Sequence, residues 1–95
     1  MKSKLIEDES YHLSENEVLD VYYLEVDKDR FYPEGIKYAV NYRIFKDGKW
    51  HVIVRIDNKE RHGHHIHMSG KIEKFKFISV EDAKNTVLKI RSELK

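Results

Sequence analysis

The 95-residue sequence contains no cysteine and no glutamine, and it has only one proline. The lack of cysteine excludes disulfide bonds, thiolate metal sites and a cysteine nucleophile. Lysine and glutamate dominate the charged residues, and together with the missing glutamine this resembles the composition of hyperthermophile proteins, in which ion-pair networks are favoured and thermolabile amides are avoided. The bias therefore points to a thermophilic source and says nothing about function.

Long apolar runs are also missing, since no apolar stretch exceeds a few residues. A membrane-spanning helix needs about 20 mostly apolar residues, so we expect no membrane association and a cytoplasmic location. The formal net charge is only +1, which argues against a generic polyanion-binding protein with a strongly basic surface. The length suits one compact domain, so we expect residues 1–95 to form a single domain, with part of residues 1–16 loosely ordered.

The clearest predicted element is a β-hairpin in the middle of the chain. Residues 36–45 and 50–57 have strand-like alternation, and they flank Asp47-Gly48, a dipeptide typical of two-residue hairpin turns. Such a turn pairs Lys46 with Lys49. An uninterrupted register from that pair predicts that five side chains share one face of the hairpin: Tyr38, Tyr42, His51, Arg55 and Asp57.

Further strands and a helix are predicted around this hairpin. Residues 18–26 and 71–79 alternate like strands, and residues 80–94 carry apolar residues at three- and four-residue spacing. Ser79 is positioned as a helix N-cap, with acidic residues in the turn that follows. The sequence therefore predicts an α+β fold, an antiparallel meander of about four strands with one C-terminal helix packed on a face.

Four of the six histidines lie in the hexamer His62-Gly63-His64-His65-Ile66-His67. Side chains alternate in an extended segment, so we expect His65 and His67 to share one face, and His62 and His64 to point elsewhere and be solvated. Two imidazoles on one strand face can bind a divalent metal. Because the sequence lacks the well-spaced ligand set of a structural metal site, we predict neither a metal nor another cofactor.

Acid–base chemistry is the favoured interpretation of the histidine pair. Histidine ordinarily titrates near neutral pH, so two imidazoles can act as general base and general acid. Metal-independent RNA cleavage needs mainly these proton transfers, because the 2′-hydroxyl is itself the nucleophile. We predict that His65 and His67 exchange protons, that Arg55 stabilises the developing charge and that Asp57 orients an imidazole. The residues predicted to contact nucleic acid are Tyr42, His51, Asn58 and Lys71.

The order of these segments resembles a known family. A strand ending in Arg55-Ile56-Asp57-Asn58, a short turn, His64-His65-Ile66-His67, another strand and a C-terminal helix are similar to the TumE-type toxins of prokaryotic toxin–antitoxin systems, over residues 38 to about 94. The resemblance implies a small cytoplasmic toxin that acts on RNA and pairs with a DNA-binding antitoxin. It also implies that the site includes the residues Arg55, Asp57, Asn58, His65 and His67.

Two other interpretations stay open at this point. The histidine hexamer is bracketed by Gly63 and Gly70, and it is compatible with a hydrophilic turn that has no chemical role. The protein would then be a non-catalytic interaction module, for example an inactive toxin homologue or a homodimer that uses the apolar residues on both faces of 18–26. A metal-binding domain is the third possibility.

Overall fold

The computed structural model describes residues 3–58 and 63–94. The elements in chain order are β1 (Lys4–Ser14), β2 (Glu17–Glu25), β3 (Ile36–Lys46), β4 (Lys49–Asp57), β5 (His65–Met68), β6 (Lys71–Lys74) and α1 (Val80–Glu93). The six strands form one sheet in which each strand pairs antiparallel with the next along the chain. The predicted antiparallel meander with a C-terminal helix is confirmed, but the sheet has six strands rather than about four.

Strands β1 and β5 account for the difference. β1 covers most of the segment expected to be loosely ordered, and it pairs with β2 along its length. Its residues are mostly exposed, so its sequence carries little of the apolar alternation that marks a strand. β5 is only four residues long and is half histidine. β2 lies between β1 and β3, and its apolar residues Val18, Leu19 and Val21 are buried within this chain.

The helix forms as predicted. The Ser79 side chain accepts a hydrogen bond from the Asp82 backbone N–H at 3.0 Å, which is the geometry of an N-cap. Val80, Ala83 and Val87 are buried, and α1 packs on β3 and β4. The described residues contain no helix with the length and apolar character needed to cross a membrane.

Packing of α1 gives the sheet two different faces. The face that carries Val40, Tyr42, Val54 and Ile56 belongs to the hydrophobic core beneath α1, and we call it the helix face. We call the opposite side, which carries Ala39 and the residues aligned with it, the open face. Side chains of β3 alternate between these two faces.

A β-bulge in β4 decides which residues reach the open face. The predicted turn is confirmed, since Asp47 and Gly48 have φ values of 54° and 80° and the register holds as far as the Arg43–Val52 pair. Tyr42 then pairs with Val54, so Ile53 is an extra residue that the partner strand does not match.

The predicted register is therefore wrong beyond the Arg43–Val52 pair, because one inserted residue reverses the alternation. Arg55 and Asp57 are aligned with Asn41 and Ala39 and lie on the open face. The three residues predicted to lie beside them, Tyr38, Tyr42 and His51, lie on the helix face.

Candidate functional site

The pairing of β4 with β5 brings the four predicted catalytic residues together on the open face. Arg55 is aligned with His67, and Asp57 is aligned with His65. Because aligned residues on neighbouring strands point to the same side, all four side chains rise from one patch of the sheet. We call these four residues the His–Arg–Asp cluster.

Asp57 lies at the centre of this cluster. Its side chain is only 8% exposed, and its Oδ2 atom lies 2.6 Å from Nε of Arg55 and 3.8 Å from Nε2 of His67. Burial of a carboxylate is costly without a compensating charge, and Arg55 supplies that charge. The same contact holds the guanidinium, which remains partly exposed to solvent, beside the imidazole of His67.

The imidazoles of His65 and His67 are close neighbours on the open face. The ring centroids of His65 and His67 are 6.4 Å apart, with an angle of 62° between the rings. A general acid or base works at about 2.6–3.2 Å from the atom it serves. The two rings are therefore close enough for both to contact one bound group on the open face.

Lys74, which was not among the predicted site residues, adds a further positive charge to this patch. Lys74 is aligned with His65 and therefore lies on the open face, and it is exposed. Lys71, which was predicted to contact nucleic acid, is aligned with Met68 instead, one position out of phase with the histidines, although it lines a groove with His67 at the β5–β6 turn. Alternation along 71–74, combined with the β5 register, is the signal that identifies Lys74.

Three residues predicted to contact nucleic acid have other surroundings. Asn58 is 1% exposed; its Oδ1 accepts from the Tyr38 backbone N–H at 2.9 Å, and its Nδ2 donates to the Ile36 carbonyl at 2.7 Å. Tyr42 is buried on the helix face and donates to Glu17. His51 lies on that face too, with its Nε2 atom 3.1 Å from the Lys46 carbonyl oxygen.

His64 points away from the cluster, as alternation predicts, but it is not solvated. Its side chain is 14% exposed, its Nε2 atom lies 3.1 Å from Oε2 of Glu34, and its ring stacks on Phe77 with centroids 4.3 Å apart. The Tyr38 hydroxyl lies 3.1 Å from Nδ1. The expectation that His64 is solvated is wrong, and His62 lies outside the described residues.

The open face continues from the cluster into a shallow groove of about 450 Å³, which Arg55 lines together with residues of β1–β4. Asp20 organises the polar side chains here, since it accepts from Ser10 at 2.6 Å, from Asn41 at 3.0 Å and from Nε of Arg43 at 2.8 Å. Burial alone would raise the pKa of Asp20, but these three hydrogen bonds outweigh it and lower the pKa below its ordinary value.

Within 3–58 and 63–94, no three histidine, aspartate or glutamate side chains are grouped so that they could hold a metal ion.

The chain was compared with known proteins and families. Neither the curated proteins nor the solved structures gave a match. A family model described as toxin TumE matches residues 2–95, so the likeness extends beyond the segment 38–94 that carries the recognisable motifs. Nearly the whole chain, from β1 through the His–Arg–Asp cluster to α1, falls within that match. The chain belongs to the TumE toxin family.

Proposed function

We propose that this toxin cleaves RNA without a metal ion, with His65 and His67 as the pair that transfers protons. One observation carries the proposal. The imidazoles of His65 and His67, with ring centroids 6.4 Å apart, lie on the open face beside the Arg55 guanidinium, which the buried carboxylate of Asp57 holds in place. Membership of a toxin family supports a growth-inhibiting activity. We further propose a cytoplasmic location and an antitoxin protein as the partner that neutralises it.

The proposed reaction needs no group beyond those of the cluster and the RNA itself. One imidazole removes the proton of a ribose 2′-hydroxyl, and the resulting oxygen attacks the adjacent phosphorus. The bond from phosphorus to the 5′-oxygen of the next nucleotide breaks, and the other imidazole gives that oxygen a proton. The products are a 2′,3′-cyclic phosphate and a free 5′-hydroxyl, and general acid–base catalysis of this kind contributes about 10²–10⁴-fold in rate.

Charge on the reacting phosphate would be stabilised by the cations of the same face. Arg55 is held next to His67 by Asp57, and Lys74 is aligned with His65. Fixed cations aimed at developing negative charge are a large source of catalysis, because they need no reorganisation during the reaction. Lys71, at the neighbouring turn, is a further phosphate contact in this proposal.

The test replaces both imidazoles at once. The double variant His65→Ala, His67→Ala should lose growth inhibition on induction, and RNA cleavage by the purified protein should fall at least 100-fold. Both side chains are partly exposed, so thermal melting should show a folded variant. His12→Ala removes an exposed imidazole from β1, which is separated from β5 by three strands, and should behave like the unmodified protein.

The chemistry of the new RNA ends separates this proposal from a non-catalytic interaction module. Cleavage by the cluster leaves 2′,3′-cyclic phosphate and 5′-hydroxyl ends, whereas an interaction module generates no new ends. Growth inhibition that persists in the double variant, or purified toxin that yields no such ends, would refute the assignment.

A further inference from the structure

The β5–β6 hairpin covers only part of β4. β4 runs over nine residues, but β5 pairs with Val54–Asp57 alone. Residues 49–53 therefore extend past the hairpin, with no strand on that side among the described residues. A groove of about 290 Å³ lies where the hairpin ends alongside β4. It is lined by His67 of the cluster, by Val52 of β4 and by Ile72 of β6, among others.

Two apolar side chains in this groove are strongly exposed. Val52 is 59% exposed and Ile72 is 65% exposed, and both lie on the open face. Ile72 is aligned with His67 on the neighbouring strand. Scattered exposed apolar residues are ordinary, but a pair that lines a groove next to titratable groups marks a candidate binding site.

We infer that this groove binds the nucleobase next to the phosphate that His65 and His67 act on, an inference that rests on the proposed function. The arrangement of charge matches a nucleotide. Arg55 and Lys74 lie on the cluster side, where a phosphate would be held. Beyond His67 the groove is lined by Val52, Ile53 and Ile72, while Ser69 and Lys71 line it at the β5–β6 turn. A base has apolar faces and is joined to its phosphate through one sugar. The phosphate would therefore lie on the cluster side of His67 and the base in the groove on its other side.

The exposed edge of β4 gives a base more than an apolar surface. Backbone N–H and C=O groups along a strand without a neighbour are free to bond a ligand. Residues 49–53 lack a partner strand on the groove side among the described residues, so a base lying against Val52 has hydrogen-bonding groups at hand for its polar edge. The groove is thus suited to selecting one kind of base, and the cluster would then cut RNA at preferred nucleotides.

The test uses oligodeoxynucleotides that carry a single ribonucleotide, so that each has one cleavable phosphate. That position holds one of the four bases, or an abasic ribose. For the unmodified toxin, kcat/KM with the preferred base should exceed kcat/KM with the abasic sugar by about tenfold or more, the order of discrimination that an apolar pocket provides. In the double variant Val52→Ser, Ile72→Ser this ratio should fall to about one, while cleavage of the abasic substrate is unchanged.

The control is Leu5→Ser, Ile78→Ser, which makes the same kind of change at two other exposed apolar residues, outside the groove. It should keep the ratio of the unmodified toxin. The inference is overturned if the ratio is unaffected in the groove variant, or if all substrates, the abasic one included, lose rate equally. It is also overturned if the groove variant loses binding of an antitoxin but keeps the base preference, because the groove is then a protein contact.

A binding measurement separates this inference from the proposed function. The same oligonucleotides without the ribose 2′-hydroxyl cannot be cleaved, and their dissociation constants are measured by fluorescence anisotropy. If no substrate is cleaved but binding is base-dependent and the groove variant removes that dependence, the catalytic proposal fails and the groove stands. If the toxin cleaves RNA and neither binding nor rate depends on the base, the groove inference fails and the catalytic proposal stands.

Discussion

Tyr38 and His64 join the core of the sheet to the residue that precedes β5, through a hydrogen bond of 3.1 Å between the tyrosine hydroxyl and Nδ1. Burial, with the nearby negative charges of Asp57 and Glu34, raises the pKa of Tyr38 well above its ordinary value, so its hydroxyl stays protonated. Nε2 of His64 faces Glu34 at 3.1 Å. Both nitrogens of His64 are therefore bonded, and this fixes the backbone immediately before His65.

Replacing Tyr38 by phenylalanine should destabilise the protein by about 1–3 kcal/mol, because Nδ1 of the largely buried His64 loses its hydrogen-bond partner. The free energy of unfolding, measured in urea, gives the size of the effect. Tyr32→Phe removes a hydroxyl from the loop between β2 and β3 and should change stability by only a few tenths of a kcal/mol. Equal losses in the two variants would mean that the contact with His64 contributes nothing specific.

A second stability prediction concerns the ion pair that fastens α1 to the sheet. Nε and Nη2 of Arg91 lie 2.7 Å and 2.8 Å from the two carboxylate oxygens of Glu17, which is itself buried. Arg91→Ala leaves that carboxylate without its cation, and we expect a loss of about 3 kcal/mol.

Arg91→Lys keeps the charge but loses the bidentate contact with Glu17. Its unfolding free energy should therefore lie between those of the alanine variant and the unmodified protein. Lys89→Ala, at an exposed position of the same helix, is the control and should have little effect. An alanine variant at Arg91 as stable as the control would show that Glu17 finds water or another partner.

A third prediction concerns Asn58, whose replacement should lower the stability of the protein but leave cleavage by the folded protein largely intact. Its amide bonds the backbone of Tyr38 and of Ile36, so Asn58→Ala removes the side-chain partner of a buried N–H and of a partly buried C=O of β3. We expect a loss of about 1–3 kcal/mol for each unsatisfied group, measured in urea. RNA cleavage by the fraction that remains folded should be largely retained, whereas a direct contact with RNA predicts lost cleavage at unchanged stability.

Local sequence signals were enough to predict most of the fold and part of the candidate site. The hairpin turn at Asp47-Gly48, the N-cap at Ser79 and the shared face of His65 and His67 follow from local signals. These features depend on neighbouring residues in the chain, and local chemistry therefore specifies them.

The features that sequence analysis missed depend on distant parts of the chain. Nothing in "WHVIVRID" marks Ile53 as a bulge residue, and the bulge alone moves His51 and Tyr42 away from Arg55. The burial of His64 requires Glu34 and Phe77, which lie 30 and 13 positions away. β1 was missed because its residues are mostly exposed, so that pairing with β2 leaves little apolar pattern in the sequence.

The fourth prediction follows from Asp20, whose hydrogen bonds from Ser10, Asn41 and Arg43 lower its pKa in the folded state below the ordinary value of 3.8. A lowered pKa in the folded state means that the ionised carboxylate stabilises the fold. This stabilisation is fully present above about pH 4, and it is lost as the pH falls through the pKa of the folded protein.

Asp20→Asn should therefore be less stable than the unmodified protein at pH 7, and the difference in unfolding free energy should shrink steadily below about pH 4. Urea unfolding at several values between pH 7 and pH 2 measures this. Asp27→Asn, at an exposed position between β2 and β3, should show no such convergence. A difference in unfolding free energy that is the same at every pH would contradict this prediction. It would mean that the charge of the Asp20 carboxylate does not stabilise the fold and that Asp20 acts only as a neutral hydrogen-bond acceptor for Arg43 and its neighbours.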